Sequence, residues 1–526
     1  MKLTVKTGAK QIAFSVEPGT PLPQALAQPG LFVTLPCGGA GRCGRCRVKA
    51  SGALSPPTAA ERRLLSEAEL RAGVRLLCQA VALGDACVEL SGETERMEIA
   101  GDAQPQGGAV HPVRAQAYAA AVDLGTTTVA ARLYALTEAG GAVVASAGRG
   151  NPQAAFGADV LTRMQRAQAG DAVTLQESAG DCIDGLLGQL LQTAGVEAGR
   201  LTELVITGNT AMLSLLTGED TACLAKAPFR ARRLFGEAVE AWRRGLRAAP
   251  GCRVYLPRCA SAFIGADCLC AMLACGLTQA KEPCALIDLG TNAEMVLFDG
   301  SAFWCASAAA GPAFEGGGIS MGMMALPGAI GHVERKGFQI RCSTIGDQAA
   351  RGICGSGLVD AVAVLLGGGI LAADGTICRE GHPFRAMVCE RENAPAVHFA
   401  GTGVFLTQSD IRALQTAKAA VRAGLQTLLN CAGLQTGQVR RLFLAGGFGR
   451  FLNLENAAAI GLIPPALAER TVCPGNAALD GAGLLAIQKE LREPLERLAQ
   501  RVHTISLAEE PGFAQAYLCE MNFTGP

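Results

Sequence analysis

Residues 120–136 read AAVDLGTTTVAARLYAL, in which an apolar strand runs into an Asp-Leu-Gly-Thr turn and a second apolar strand follows. The same order returns at residues 285–300 as ALIDLGTNAEMVLFDG. A single Asp-Leu-Gly turn is weak evidence, because ordinary hairpins use it too. Two copies on equivalent strands predict a duplicated domain with two lobes.

The chain around these segments has the pattern of an α/β protein. From residue 117 onward, apolar strands that end in glycine turns alternate with Ala- and Leu-rich stretches. ADVLTRMQRAQ (158–168) and DIRALQTAKAAVRAGLQTLL (410–429) show a helical period. With 526 residues the chain is long enough for several domains.

The two turns have the composition of phosphate-binding loops. Glycine lets the backbone come close to a ligand, and threonine offers a hydroxyl and an N–H as donors. Asp123 and Asp288 would face the Mg²⁺ that neutralises the phosphates, so we predict them as the catalytic residues, without assigning a general base. The predicted phosphate contacts are Gly125, Thr126, Thr127, Gly290, Thr291 and Asn292.

A third segment, RLFLAGGFGRFLN (441–453), is an apolar strand that ends in glycines. Without side chains, Gly446 and Gly447 would let a nucleoside lie against the backbone. Together the three segments resemble the superfamily of acetate kinases, sugar kinases, Hsp70 and actin (ASKHA) over most of residues 117–490. The resemblance implies an ATPase domain with two RNase H-like lobes, assigned to residues 117–526.

PCGGAGRCGRC (36–46) places Cys37, Cys43 and Cys46 in a glycine-rich loop, and Cys78 follows after 31 intervening residues. A [2Fe–2S] cluster needs four thiolates, and a glycine-rich backbone can curl around it. A structural zinc site usually has two C-x2-C pairs, and only one is present here, so iron–sulfur is favoured over zinc or a disulfide. Cys87 competes with Cys78 as the fourth ligand; we prefer Cys78.

Residues 1–92 are similar to [2Fe–2S] ferredoxins of β-grasp fold, with the five-residue first cysteine gap of adrenodoxin-like members. KLTVKT and QIAFSV predict a hairpin, PLPQALAQ a short helix, and VRLLCQAVALGDACVEL late strands. The polar stretch that follows is rich in Gly, Pro and Gln, which predicts a linker at 93–116. The fold expected for the whole chain is thus a ferredoxin-like domain joined to a two-lobed α/β ATPase.

In this order the parts resemble the ferredoxin-fused ATPases typified by the reductive activator of corrinoid proteins. The resemblance implies an ATP-hydrolysing enzyme of anaerobic metabolism that passes one electron from a [2Fe–2S] cluster to a Co(II) corrinoid protein, regenerating Co(I) for methyl transfer. It also implies Mg²⁺, a low-potential electron donor and a homodimer. One departure is visible, because family members have a further small domain before the ATPase where only a short linker fits here.

Composition excludes other classes of function. Lys plus Arg and Asp plus Glu both number 46, so no net charge attracts nucleic acid or acidic lipid. No apolar run reaches the roughly 18 residues of a membrane span, and the N-terminus lacks a signal-peptide pattern, which predicts a cytoplasmic protein. Most of the 21 cysteines lie singly in apolar stretches, as expected for reduced buried thiols.

Two other functions remain open from the sequence. An activator of a different low-potential enzyme, such as a 2-hydroxyacyl-CoA dehydratase, would share the ATPase half, but those activators hold a [4Fe–4S] cluster between subunits. Alternatively, the lobes bind nucleotide without hydrolysis and serve as a docking module for the ferredoxin. Replacing Asp123 or Asp288 distinguishes the docking module from an ATPase.

Overall fold

Three six-stranded sheets, each built from a separate stretch of the chain, organise the protein. The structure, a computed structural model, describes residues 1–7, 10–27, 41, 44, 46–90, 115–138, 140–157, 159–240, 246–248, 251–391, 394–447 and 451–523. Within these ranges no helix combines the length and the apolar character needed to cross a membrane. The predicted linker at 93–116 lies outside the described residues except for its last two.

The N-terminal stretch forms a mixed sheet over a small core. Its elements are β1 (Lys2–Thr7), β2 (Lys10–Ser15), β3 (Thr20–Pro21), α1 (Leu22–Ala27), β4 (Arg47–Leu54), α2 (Ala59–Leu64), α3 (Glu67–Arg71), β5 (Val74–Leu76) and β6 (Val81–Leu90). The strand order is β2-β1-β6-β4-β5, and β3 pairs with β6. Leu3 and Val5 alternate along β1 with residues that face away from the core, as expected for a half-buried strand. The β1–β2 hairpin, α1 and the late strands confirm the predicted strand-rich unit.

The second sheet forms the first lobe. Its elements are β7 (Ala117–Leu124), β8 (Thr128–Thr137), β9 (Gly140–Gly150), α4 (Val160–Arg166), α5 (Ala172–Ala194), β10 (Leu201–Thr207), α6 (Thr210–Thr217), β11 (Glu237–Glu240), β12 (Arg253–Leu256) and α7 (Ala266–Ala274). The strand order is β11-β12-β10-β7-β8-β9. Strands β7 to β9 are antiparallel neighbours, whereas β10 and β12 run parallel to β7.

The third sheet and two small three-stranded sheets form the second lobe. Its elements are β13 (Cys284–Leu289), β14 (Ala293–Phe298), β15 (Phe303–Ala308), β16 (Ala329–Lys336), β17 (Gln339–Thr344), β18 (Gly352–Ile353), α8 (Gly355–Gly367), β19 (Val388–Arg391), β20 (Ala394–His398), β21 (Phe405–Thr407), α9 (Gln408–Cys431), β22 (Arg441–Ala445), α10 (Leu454–Ala459), β23 (Thr471–Gly475), α11 (Ala477–Ile487), α12 (Arg492–Ala499), β24 (His503–Thr504) and α13 (Phe513–Cys519). The order in the large sheet is β23-β22-β13-β14-β15-β24.

The two large lobe sheets repeat one topology. In the second lobe β13 to β15 are antiparallel neighbours, and β22 and β23 run parallel to β13, as β10 and β12 do beside β7. Asp123 is the last residue but one of β7, and Asp288 holds the same place in β13. The repeat confirms the duplicated, two-lobed α/β fold predicted from the two Asp-Leu-Gly-Thr segments.

A shared apolar core joins the two lobes. It contains residues of β7, β8, β10 and α7 from the first lobe together with residues of β13 to β15 and α11 from the second. Helices α7 and α11 cross in this core, and a Cβ added at Gly481 would lie 1.9 Å from the carbonyl oxygen of Cys270. The two helix backbones are therefore in direct contact at this point.

A buried lysine of α9 binds the C-terminal segment of the chain. Lys418 is fully buried, and its Nζ donates a hydrogen bond to the carbonyl oxygen of Asn522 at 2.6 Å. The ring of Phe523 lies 5.7 Å from the same nitrogen, and Glu520 lies 3.8 Å away. Burial lowers the pKa of Lys418 to about 8, although Glu520 raises it.

This lysine gives a prediction for stability at alkaline pH. Between pH 8 and pH 10 the unfolded chain still binds the Lys418 proton while the folded chain releases it, so the stability should rise with pH. Relative to Lys418→Met, the wild-type free energy of unfolding should gain on the order of 2 kcal/mol across this interval. Denaturant unfolding at several pH values measures it. Lys336→Met, at an exposed lysine, should keep the wild-type slope, and a wild-type slope in Lys418→Met would contradict the assignment.

Candidate functional site

The predicted nucleotide residues meet in one cleft between the lobes. Its walls include Asp123, Gly125, Thr126, Thr127, Asp288, Gly290, Thr291, Asn292, Gly446 and Gly447. The third glycine of the last turn, Gly449, lies outside the described residues. The fold thus brings together every described residue predicted for the phosphates and the nucleoside, and their contact with a nucleotide stays a prediction.

The first turn, Leu124 to Thr128, is held from behind by buried polar side chains. Asn151 donates to the carbonyl oxygen of Gly125 at 2.7 Å, and Arg163 donates to that of Thr126 at 2.7 Å. Gly125 is required here because a Cβ would lie 2.6 Å from the carbonyl oxygen of Thr128. Fixing the carbonyls on one side leaves the opposite side of the turn to face the cleft.

The third turn packs directly against the second. Gly446 has a φ of +105°, and a Cβ there would lie 2.4 Å from the carbonyl oxygen of Leu289. Only glycine fits both constraints. This contact fixes the predicted nucleoside turn beside the predicted second phosphate turn.

Three further carboxylates, which the sequence analysis missed, line the same cleft: Asp267, Glu294 and Glu315. Asp267 lies in the first turn of α7, in an apolar stretch that contains several cysteines. Glu315 lies in AAAGPAFEGGGISMGM (308–323), a stretch whose composition and spacing indicate no particular chemistry. The sequence spacing gives no indication of Asp267 or Glu315, because the two residues reach the cleft from different elements.

Crowding and loss of water raise the pKa values of these acids. Desolvation raises the pKa of Asp123 to about 6, although a hydrogen bond from Asn476 lowers it. Desolvation and the neighbouring Asp123 raise the pKa of Asp267 to about 7. Desolvation, with Asp267 and Asp123, raises the pKa of Asp288 to about 7. A cation bound in this cleft would reduce the repulsion between the carboxylates and stabilise their charged forms.

Two asparagines orient the cleft from neighbouring helices. Asn476 caps α11 by accepting a hydrogen bond from Leu479 N at 2.9 Å, and its amide donates to Asp123 Oδ2 at 2.9 Å. Asn209 caps α6 and donates to the hydroxyl of Thr126 at 3.2 Å. Asn476 therefore joins the start of α11 to the end of β7, and Asn209 joins the start of α6 to the first turn.

The donors in the cleft fit Mg²⁺ in the way nucleotide enzymes use it. Within the described ranges no three His, Cys, Asp or Glu side chains stand close enough to hold a metal ion alone. Mg²⁺ usually takes one or two carboxylates, with water and substrate phosphates filling the remaining positions. Asp123 and Asp288, at the ends of equivalent strands, match that pattern.

The second predicted site lies at the edge of the N-terminal sheet, where Cys46 precedes β4 and Cys78 lies in the turn after β5. Cys46 and Cys78 have their Sγ atoms 3.3 Å apart. The hydrogen bond from Cys46 lowers the pKa of the Cys78 thiol to about 6, although burial raises it. A thiol that ionises near neutral pH beside a second thiol suits iron ligation. Cys37 and Cys43 lie outside the described residues.

Local packing places Cys78 and the loop glycines. Glu61 accepts hydrogen bonds from Arg75 at 2.8 Å and from Leu76 N at 3.0 Å, which fixes the segment before Cys78. Gly41 and Gly44 have φ values of +63° and +65°, the left-handed region that glycine enters at little cost. The described glycines of the cysteine loop therefore allow the tight curl expected from the sequence.

Cys87, the alternative fourth ligand, lies on β6, on the face that points away from the core. It pairs in register with Thr4 and Ser51, between the buried residues Ala86 and Val88. Successive side chains on a strand point to opposite faces, so Cys87 points away from the core that contains Cys46. The geometry favours Cys78.

Comparison with protein families divides the chain into three parts. Residues 6–83 match the 2Fe-2S iron-sulfur cluster binding domain, residues 118–280 the middle region of RACo, and residues 282–525 the C-terminal domain of RACo, described as the ASKHA domain. These matches confirm the predicted fold class. They support a [2Fe–2S] cluster and nucleotide binding as the cofactor chemistry.

Individual proteins match along most of the chain. The corrinoid activation enzyme RamQ of Eubacterium limosum is 30% identical over 420 residues, covering 77% of this chain and 70% of RamQ. The [Co(II) methylated amine-specific corrinoid protein] reductase of Methanosarcina barkeri is 28% identical over 363 residues, covering 62% and 64%. The solved structure of a reductive activator for a corrinoid, iron-sulfur protein matches with a TM-score of 0.72 and 25% identity, covering 100% of this chain and 98% of that one. The departure expected from the sequence, a family domain replaced by a short linker, is therefore wrong, because residues 118–280 match the middle region of RACo.

Proposed function

The chain belongs to the family of corrinoid activation enzymes, and we propose that it is the ATP-dependent reductive activator of a corrinoid protein. It is a redox enzyme whose substrate is the Co(II) form of that protein. Hydrolysis of ATP, the role of Mg²⁺ and the individual site residues are parts of the proposal.

The observation that carries the proposal is the presence in one chain of a close thiol pair and a cleft lined by both Asp-Leu-Gly-Thr turns. The residues proposed to hold a [2Fe–2S] cluster are Cys37, Cys43, Cys46 and Cys78. The bound cluster supplies one-electron transfer, by which an electron from a low-potential donor reduces Co(II) to Co(I). Cys46 and Cys78 contribute two thiols whose Sγ atoms lie 3.3 Å apart at the edge of a packed core.

ATP is needed because the reduction is uphill for ordinary cellular donors. For a one-electron couple each 59 mV corresponds to about 1.4 kcal/mol, so a gap of a few hundred millivolts requires roughly 5 to 10 kcal/mol. A nucleotide can contribute only through its different affinity for two states of the protein. We propose that these states differ in the relation of the two lobes, because the cleft has walls from both.

In the cleft each group has one proposed task. Thr127 and Thr291 donate hydroxyl hydrogen bonds to phosphate oxygens, and Gly446 and Gly447 lie along the nucleoside. Asp123 and Asp288 would hold Mg²⁺ or its waters, which offsets the crowding of negative charge that raises their pKa values.

Anaerobic activation of Co(II) corrinoid proteins tests the function. The protein with its cluster is mixed with a chemical reductant and a candidate corrinoid protein, and the Co(I) absorption is followed. With Mg²⁺ and ATP, Co(I) should accumulate in many turnovers. With a non-hydrolysable ATP analogue it should stop after about one equivalent, because the complex is not reset.

The outcomes separate the two nucleotide roles. Equal Co(I) yields with ATP and with the analogue would show that binding alone suffices and would contradict hydrolysis. Equal yields with and without any nucleotide would contradict the ATP-dependent function altogether. A chain that binds ATP but reduces none of the corrinoid proteins offered would place it with activators of other low-potential enzymes.

The homodimer, the low-potential donor, the cytoplasmic location and the domain limits 1–92, 93–116 and 117–526 are further parts of the proposal. The limits are supported by the three sheets, whose strands lie within 2–90, 117–256 and 284–504. Sedimentation of the purified protein tests the dimer. Limited proteolysis tests the linker, where the first cuts are expected.

A further inference from the structure

The carboxylate of Glu315 connects the two predicted phosphate turns across the cleft. Its Oε2 accepts a hydrogen bond from the Thr127 hydroxyl at 3.1 Å and one from the Thr291 hydroxyl at 2.7 Å. Thr127 follows β7 of the first lobe, and Thr291 follows β13 of the second. A single oxygen atom thus bonds to both lobes where the terminal phosphates are proposed to bind.

The segment that carries Glu315 is fixed by its backbone. It follows β15, and Gly316 next to it has a φ of +78°, with a virtual Cβ 2.5 Å from the carbonyl oxygen of Met323. The other carboxylate oxygen, Oε1, lies 3.8 Å from a virtual Cβ at Gly290, so it also faces the second turn. Glu315 is therefore held in place and does not reach the turns by chance extension of an exposed side chain.

Other described carboxylates of the cleft are bonded elsewhere. Asp123 accepts from Asn476, Asp267 from the backbone N of Cys268 at 2.8 Å, and Glu294 from Ser307 at 3.3 Å. Among the described cleft acids, Glu315 is the one with a hydrogen bond from each turn. This contact, and not the charge alone, sets it apart.

A threonine hydroxyl has one proton, so it can donate to one acceptor at a time. The hydroxyls that bond to Glu315 are the same ones proposed to bond to phosphate oxygens. Carboxylate and phosphate are both anionic acceptors, so they compete for these two protons and repel each other. Both hydrogen bonds to Glu315 must therefore break before the two threonine hydroxyls can donate to the phosphates of a bound nucleotide.

We propose that Glu315 is the positioning residue through which the cleft senses nucleotide. Without nucleotide it holds Thr127 and Thr291 and links the lobes; with nucleotide the hydroxyls turn to the phosphates and the link opens. The inference rests on the proposed binding of ATP in this cleft. It predicts that Glu315 weakens nucleotide binding, the opposite sign from that of an ordinary binding residue.

The test compares Glu315→Gln with Glu294→Gln. Both changes remove one carboxylate from the same cleft and keep the side-chain shape, but only the first replaces the charged acceptor shared by the turns with a weaker, neutral amide oxygen. Titration with Mg²⁺ and a non-hydrolysable ATP analogue should give a Kd about tenfold or more below wild type for Glu315→Gln, because a neutral amide competes more weakly for the two hydroxyl protons and no longer repels the phosphates. The decrease for Glu294→Gln should be clearly smaller. An equal decrease in both, or no decrease in Glu315→Gln, would overturn the proposal.

Hydrogen exchange without nucleotide provides a second, independent measurement. Amides of residues 124–129 and 289–293 should exchange faster in Glu315→Gln than in wild type, and the difference should vanish once the analogue is bound. If wild type binds no nucleotide, the proposed function fails, yet faster exchange of both turns would still show that Glu315 links them. Unchanged exchange in both turns would reject the link even if ATP binds. Glu315→Asp, one methylene shorter with its charge kept, replaces the glutamine variant if that variant does not fold, with the same exchange expected.

Discussion

Replacing Cys78 by alanine is expected to remove the iron–sulfur cluster and with it the reduction of the corrinoid protein. Cys78 is the described thiol whose pKa is lowered to about 6, and its Sγ lies 3.3 Å from that of Cys46. Loss of a direct ligand should exceed the roughly 10- to 100-fold effect of losing an outer partner of a metal site. Iron content, visible absorption and the paramagnetic signal of the reduced protein measure the cluster, and Co(I) formation measures the activity.

Cys87→Ala is the matched control for this experiment. It removes a thiol from the same N-terminal stretch, nine residues along the chain, but from the face of β6 opposite the core. It should keep the cluster and the activity of the wild type. A cluster that survives in Cys78→Ala and is lost in Cys87→Ala would reverse the ligand assignment, and zinc in place of iron in the wild type would remove its basis.

Asp288→Asn is expected to abolish the ATP-dependent part of the activity while leaving the cluster intact. The carboxylate stands at the end of β13, beside the third turn and among other acids that raise its pKa to about 7. Asparagine keeps the shape and removes the charge that a magnesium nucleotide would need. The loss should be on the order of 100-fold or more, the scale of removing one contact to the charge that develops in a transition state.

Two measurements make this result specific. ATP hydrolysis and nucleotide-dependent Co(I) formation should fall together in Asp288→Asn, while the visible spectrum of the cluster stays that of wild type. Asp347→Asn makes the same chemical change in an exposed loop at a φ of +52°, a conformation that asparagine tolerates, and should behave as wild type. Full ATP-dependent activation in Asp288→Asn would favour a docking role for the lobes over hydrolysis.

The fold could be predicted because its two halves repeat a local pattern. Asp123 and Asp288 end equivalent strands, and each is followed by Leu, Gly and Thr, so the duplicated topology is visible in the sequence. The alternation around Leu3 and Val5 likewise indicates a half-buried strand. These signals are local, and local signals determine the strand, the turn and the side that faces the core.

The acids that complete the cleft could not be predicted, because they come from distant positions with no common spacing. Asp267 enters from α7, and Glu315 comes from a turn after β15. In the sequence Asp267 stands among cysteines and alanines, and Glu315 stands among glycines. Only the packing of two lobes against a common core brings them within reach of Asp123 and Asp288.

The crossing of α7 and α11 limits how the lobes can move. A methyl group has no room between Gly481 and the backbone of Cys270, so the helices cannot slide past each other without collision. We therefore expect the lobes to rotate about this contact and not to slide across it. The helix crossing would then be the pivot of this motion. A small rotation at this buried point would give a larger displacement of the lobe surfaces at the rim of the cleft, where a partner protein could detect it.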